Sequence, residues 1–300
     1  MTTSTQVQRS VDFSHGPTDT DQVTNARRGV LAYLIVVVTL SAVLDSLIVT
    51  TRILVPLAVL LMCVPSAASV GVRLARREGF ADVSFRFGGR RGLAWLAIGL
   101  ILPWIVGAVA YGIAWQIGVA EFVLPEQLAG EPNALARVGL LCASWLAGLP
   151  TACALAAGEE IGWRGYMLTR LIDGRTPCPV LASGLIWGFW HAPLILAGLY
   201  AAGPEPVPSV VLFMFSITAM SFVLARMRLE TGSIWPTIAC HGAWNLTIQG
   251  VFDQFTAGGS ALTWTGESGI LVAVVAMLIA GASLRLPGPF RARRERIHGH

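Results

Sequence analysis

The chain has 300 residues, 54% of them hydrophobic and only 13% charged, with a formal net charge of +4 and a mean hydropathy of +0.66. A soluble domain carries about 25% charged residues, so most of this surface must face lipid, and a soluble fold is excluded. The modest positive charge lies in loops and not on one folded basic face, which argues against nucleic-acid binding.

Residues 1–26 are polar and lack an apolar signal-peptide core, and are expected to form a disordered cytoplasmic tail. Eight apolar runs of about 20 residues follow, the length that a bilayer core requires. They cover roughly 30–50, 53–72, 93–115, 136–158, 179–199, 208–226, 232–252 and 269–286. Prolines 56, 103, 150 and 236 fall in or near these runs, which membrane helices tolerate. A basic tail, 289–300, closes the chain and can meet anionic headgroups. The expected class is an all-α polytopic membrane protein with about eight transmembrane helices and an embedded domain over 27–288.

Loop charge tests the count. Arg27 and Arg28 precede the first run, and Arg73, Arg76, Arg77, Arg86, Arg90 and Arg91 flank or lie between the second and third. Arg164, Arg170 and Arg175 follow the fourth, Arg226 and Arg228 the sixth, and Arg285 onward the eighth. The alternate loops hold Glu121, Glu126, Glu131, Glu205, Asp253 and Glu267, with Arg52 and Arg137 as the positive exceptions. The alternation follows the positive-inside rule and predicts both termini in the cytoplasm; a bacterial cell membrane is the expected location, in keeping with the arginine bias. All positive side chains are arginine, which reads as a coding bias. The cysteines, Cys63, Cys142, Cys153, Cys178 and Cys240, have no paired spacing and read as packing residues.

Three polar clusters interrupt the apolar runs. Ionisable groups in or beside a bilayer are costly and commonly functional. In Gly158-Glu159-Glu160-Ile161-Gly162-Trp163-Arg164-Gly165, helical spacing puts Glu160 and Arg164 on one face and turns Glu159 about 100° away. A bidentate Glu160–Arg164 pair is expected, with Glu159 free to act on water. Gly158, Gly162 and Gly165 leave room for a helix or a peptide to approach. The bland alternative is an ordinary ion-pair cluster at a helix end.

His191 lies about 18 Å into the fifth run, with Trp187 one turn before it, and its imidazole needs a partner. His241 and Asn245 are four apart in the seventh run and share a face, from which they could hold a metal or donate to an oxyanion. Both histidines fall at similar depth, whereas Glu159 sits at the end of the fourth run. Either that helix continues through Met167 or beyond, or the site opens to a cytoplasmic cavity.

Glu-Glu-x-x-x-Arg (159, 160, 164), aromatic-x-x-x-His (187, 191) and His-x-x-x-Asn (241, 245), in this order on successive helical regions, resemble the CPBP intramembrane proteases, the Abi or CAAX-protease-like family. The resemblance covers residues 136–252, and eight spans also match. One departure is Trp187, where the family usually has phenylalanine. The resemblance implies an endopeptidase in which Glu159 activates water with help from His191, and His241 and Asn245 stabilise the oxyanion or help hold a metal. Glu159, Glu160, Arg164, His191, His241 and Asn245 are the expected catalytic set. Glu159, His191 and His241 could ligate a divalent metal such as zinc, while a metal-free glutamate mechanism stays open. The expected partners are a peptide or membrane-protein substrate and the lipid bilayer, with no nucleic acid. The alternatives are a non-catalytic immunity or scaffold protein of the same fold, or a transporter, against which no repeat symmetry is visible.

Overall fold

The computed structural model describes residues 19–286. The tails before and after these residues, including His298 and His300, lie outside them. Eight principal helices follow one another: α1 (Asp19–Thr51), α2 (Val55–Arg76), α3 (Gly89–Gln116), α4 (Ala134–Gly162), α5 (Pro179–Leu196), α6 (Pro206–Thr231), α7 (Trp235–Thr247) and α8 (Ile270–Arg285). The only sheet among the described residues is a two-residue antiparallel pair, β1 (Glu121–Phe122) with β2 (Thr256–Ala257).

Local chemistry sets the boundaries. Asn133 caps α4 by accepting the Ala136 N–H at 2.9 Å. Prolines occupy the first turn of α2, α5, α6 and α7, where no intrahelical N–H is needed. Gly232, at φ +56°, ends α6 in the left-handed conformation.

Six helical stretches are long and apolar enough to cross a bilayer: 19–51, 55–76, 89–116, 134–173, 179–196 and 206–231. The two remaining expected spans form α7, with 13 residues, and α8, with 16. The chain is an all-α, integral multi-pass membrane protein. α1 starts at Asp19, upstream of the domain boundary expected at residue 27.

The fourth helical run differs most from expectation. It does not stop near 158 where its charges begin, but continues through a π turn (Trp163–Met167) and a last α segment (Leu168–Asp173). Its charges do not end it because they are paired inside the protein: Glu160, Arg164 and Arg170 all have carboxylate or cationic partners. At 1.5 Å per residue, 40 residues span about 60 Å, so Glu159 lies well inside the run and not at its end. That removes the mismatch in depth between Glu159 and the histidines.

α7 is the centre of the bundle. It packs against α3 and α4, and nearly all of its residues are buried. Gly242 makes the approach to α4 possible, because a Cβ there would lie 2.8 Å from the backbone N of Cys153. Gly158 and Gly162 do the same between α4 and α2, facing the Met62 and Pro65 backbone.

The arginine-bearing loops gather on one face. Arg73 pairs with Asp82 at 2.5 Å, Arg170 with Asp82 at 2.7 Å and Glu78 at 3.0 Å, and Arg91 with Glu230 at 2.6 Å. Arg86 donates to the Gly232 carbonyl and Arg27 to that of Gly174. The loops holding β1 and β2 meet at the other end of the helices.

Candidate active site

The site forms where the C-terminal half of α4, the middle of α5 and α7 converge. Glu159 (2% exposed), Glu160 and Arg164 are buried on α4 and its π turn. His241 (5% exposed) faces them from α7, and His191, half-buried, from α5.

Glu160 joins two elements. Its Oε1 accepts from Arg164 Nη1 at 2.6 Å and from His241 Nδ1 at 3.0 Å. The expected fork-to-fork pairing therefore does not occur. One oxygen serves both donors, and the guanidinium lies over the Trp187 ring, its carbon 4.0 Å from the centroid. Cation–π contact and a single charged hydrogen bond replace the second N–H···O bond.

Trp187 is the hub. Its indole N–H donates to Glu159 Oε2 at 2.9 Å. Its ring meets His241 edge-on at 5.2 Å and His191 at 6.0 Å, and its backbone carbonyl accepts from His191 Nδ1 at 2.9 Å. A carbonyl can only accept, so Nδ1 of His191 carries the proton and Nε2 presents a lone pair. The imidazole has thus found its partner one turn back on its own helix. The tryptophan that departs from the family's usual phenylalanine supplies a donor which phenylalanine lacks.

Asn245 is half-buried on α7, and its carboxamide makes no hydrogen bond among the described residues. Trp145 donates to Thr247 at 3.0 Å and ties α4 to α7 beside it. A second π turn, Ile248–Phe252, continues α7. π turns within α-helices are frequent at functional sites, and here each adjoins a motif: one includes Arg164, and the other begins three residues after Asn245. The first leaves the Gly165 carbonyl to accept from Arg73 at 2.9 Å.

All six expected residues thus lie on the converging elements, and Trp187 contacts four of them. Gly158 and Gly162 face α2, while Gly165 lies beside Val83, so helices and a loop residue fill the small surfaces. Glu159, His191 and His241 are not drawn into a three-ligand set: among the described residues no three His, Cys, Asp or Glu side chains are grouped to hold a metal ion. Aromatic rings surround the His191 imidazole, with Trp190, Phe213 and Tyr200 centred within 4.7–5.5 Å of its ring centre.

Sequence reasoning missed a second acidic centre. Glu267, four-hundredths exposed in the loop before α8, accepts from Trp244, Tyr200 and Gln249. In sequence it is a lone loop acid between glycines, and its one signal is its place two residues before an apolar run.

Residues 141–247 match the family model described as type II CAAX prenyl endopeptidase Rce1-like. No curated protein matches the chain. The matched stretch contains all three motifs and the whole Trp187-centred cluster, so the part of this multi-pass membrane protein that builds the site is similar to the CAAX prenyl endopeptidases.

Proposed function

We propose that the chain is an intramembrane endopeptidase in which Glu159 activates water for attack on a peptide carbonyl near the cytoplasmic side. The observation that carries this reading is the Trp187 hub, which gathers Glu159, His191, His241 and Arg164 around one indole from three helical regions. The cytoplasmic assignment is supported by the arginine-rich loops meeting on one face.

Glu159 is held at one oxygen by the Trp187 N–H, and a carboxylate has lone pairs left for a water. It removes a proton from that water while Nε2 of His191 orients it by accepting the second hydrogen. The new C–O bond places negative charge on the carbonyl oxygen. The carboxamide N–H of Asn245 and the Nε2–H of protonated His241 donate to it, and Glu160 beside Nδ1 balances the imidazolium charge. When the tetrahedral intermediate collapses, Glu159 returns its proton to the departing amine nitrogen and the C–N bond breaks. Arg164 acts through Glu160, by fixing the oxygen that His241 uses.

The test compares protein N-termini in membranes carrying wild type or Glu159→Gln at matched abundance, alongside cleavage of a farnesylated CAAX peptide by the purified proteins. New termini or peptide cleavage with wild type alone supports the endopeptidase. Equal cleavage by both proteins overturns the assignment of Glu159. Absence of cleavage in either assay favours the non-catalytic scaffold.

A further inference from the structure

We propose that Glu267 is a positioning residue of this site: by anchoring Tyr200 it holds the imidazole of His191 in one orientation. The inference rests on the endopeptidase reading for its consequence and on geometry for its substance.

Every contact of the Glu267 carboxylate is with a donor. Trp244 Nε1 reaches Oε1 at 2.7 Å, and the Tyr200 hydroxyl and Gln249 Nε2 reach Oε2 at 2.6 and 2.9 Å. Gln249 Nε2 also lies 3.2 Å from the Tyr200 oxygen. That phenol oxygen therefore accepts from Gln249 and must turn its own hydrogen to Glu267. The arrangement suits an acceptor-only carboxylate, and an amide in its place would set an NH2 group against a donor.

The anchored tyrosine lies against the site. Its ring stacks on His191 with centroids 5.5 Å apart and planes 25° apart. Phe213, 4.9 Å from His191, and Trp190, 4.7 Å, close two more sides of the imidazole. With Nδ1 bonded to the Trp187 carbonyl, the ring has one plane and one remaining lone pair, on Nε2. Glu267 also grips α7 beside the site, since Trp244 immediately precedes Asn245 and Gln249 follows it in the π turn.

The loop is itself secured. The Gly266 N–H donates to the Tyr111 hydroxyl at 2.9 Å, and that hydroxyl donates to Asp253 at 2.5 Å. Gly266, at φ +77°, is where the backbone turns. Burying a carboxylate carries a desolvation penalty that an apolar loop plug would avoid. What the charge adds is direction: it fixes a phenol whose ring defines the plane of His191.

The test is 15N-histidine NMR of the full chain in detergent micelles, feasible because the sequence has five histidines. Wild-type His191 should show the Nδ1-protonated tautomer as a single state. Glu267→Gln and Tyr200→Phe should each convert that signal to a mixture of tautomers, and both should lower kcat about 10- to 100-fold with KM within about twofold. The two effects should not add in the double variant, because they follow one path. Superimposable His191 signals in wild type and both variants overturn the proposal, even if activity or thermal stability falls, since that result leaves Glu267 a loop staple. Tyr200→Phe keeps the ring and serves if Glu267→Gln fails to fold. The spectra need no substrate, so they decide the positioning role even if no peptide is cleaved.

Discussion

His241 Nδ1 lies 3.0 Å from Glu160 Oε1, although 81 residues separate the two in sequence. Nothing local sets that distance. It depends on α7 reaching α4, and Gly242, the next residue, is what permits the approach, with Cys153 N only 2.8 Å from where a Cβ would sit.

Gly242→Ala should therefore push His241 away from Glu160 before it affects anything else. Backbone atoms of α4 cannot yield as a side-chain tip would, and overpacking of this kind costs about 1–3 kcal/mol. We expect cleavage to fall at least about tenfold, with a lowered unfolding midpoint. Gly281→Ala, where a Cβ meets nothing within 4 Å, should leave both unchanged. Paired thermal-shift and cleavage assays check this.

Glu160 and Arg164 should fail together. Either alanine variant strands its partner's charge in a fully buried place, at a cost of about 3–5 kcal/mol. Arg164→Ala also uncovers the Trp187 ring face. The expected result is loss of folded protein from size-exclusion profiles in both single variants, and Glu160→Gln, which keeps an acceptor, should be milder. Wild-type profiles for Arg164→Ala would show that the pair is dispensable.

Trp187→Phe should separate the indole's two roles. Phenylalanine keeps a ring between Arg164 and the histidines but removes the donor to Glu159 Oε2. A hydrogen bond to a charged group is worth about 1.5–3 kcal/mol. We expect kcat to fall by about ten- to a hundredfold with a near-native melting midpoint. Trp187→Ala should lose both.

The arginine-rich face should respond to acid. Burial pushes the Glu78 carboxyl up, but hydrogen bonds from Arg76 and Arg170 outweigh it and hold the group below its ordinary value of 4.5. Asp82 is likewise pushed up by burial and brought below 3.8 by Arg73 and Arg170. A carboxylate with a depressed folded-state pKa stabilises the protein above its unfolded value and loses that contribution as pH falls through the folded one. Thermal midpoints should therefore decline as pH drops below about 4.5 and then 3.8, and Asp82→Asn should flatten the second part of that decline. A midpoint independent of pH between 5 and about 2.5 would remove the role assigned to these pairs.

The membrane-length apolar runs were legible because lipid demands continuous hydrophobicity, and each expected run coincides with a principal helix. The Glu160–Arg164 contact was legible from i,i+4 spacing. Its single-bonded form was not, because the sharing of Oε1 depends on His241 from a distant helix. The end of the fourth run was misplaced because sequence shows three charges but not the partners that neutralise them. Trp187 stood out as an aromatic, whereas its use as a donor depends on where Glu159 Oε2 falls. Glu267 has no periodic neighbours to mark it, and only the fold brings Tyr200, Trp244 and Gln249 to it.

The π turn at Trp163–Met167 makes chain length, and not only side-chain identity, a condition of the site. Each π turn takes up one residue more than an α turn, so everything beyond Met167 is rotated by about 100° from where an uninterrupted helix would put it. Arg170, which pairs with Glu78 and Asp82, lies beyond that rotation. Deleting one residue there would yield a more regular helix with better backbone bonding, and would disconnect the arginine-rich face from the helix that carries Glu159. A gain in local order would be a loss of function. Single-residue deletions in this stretch should be tolerated far less well than their conservative chemistry suggests.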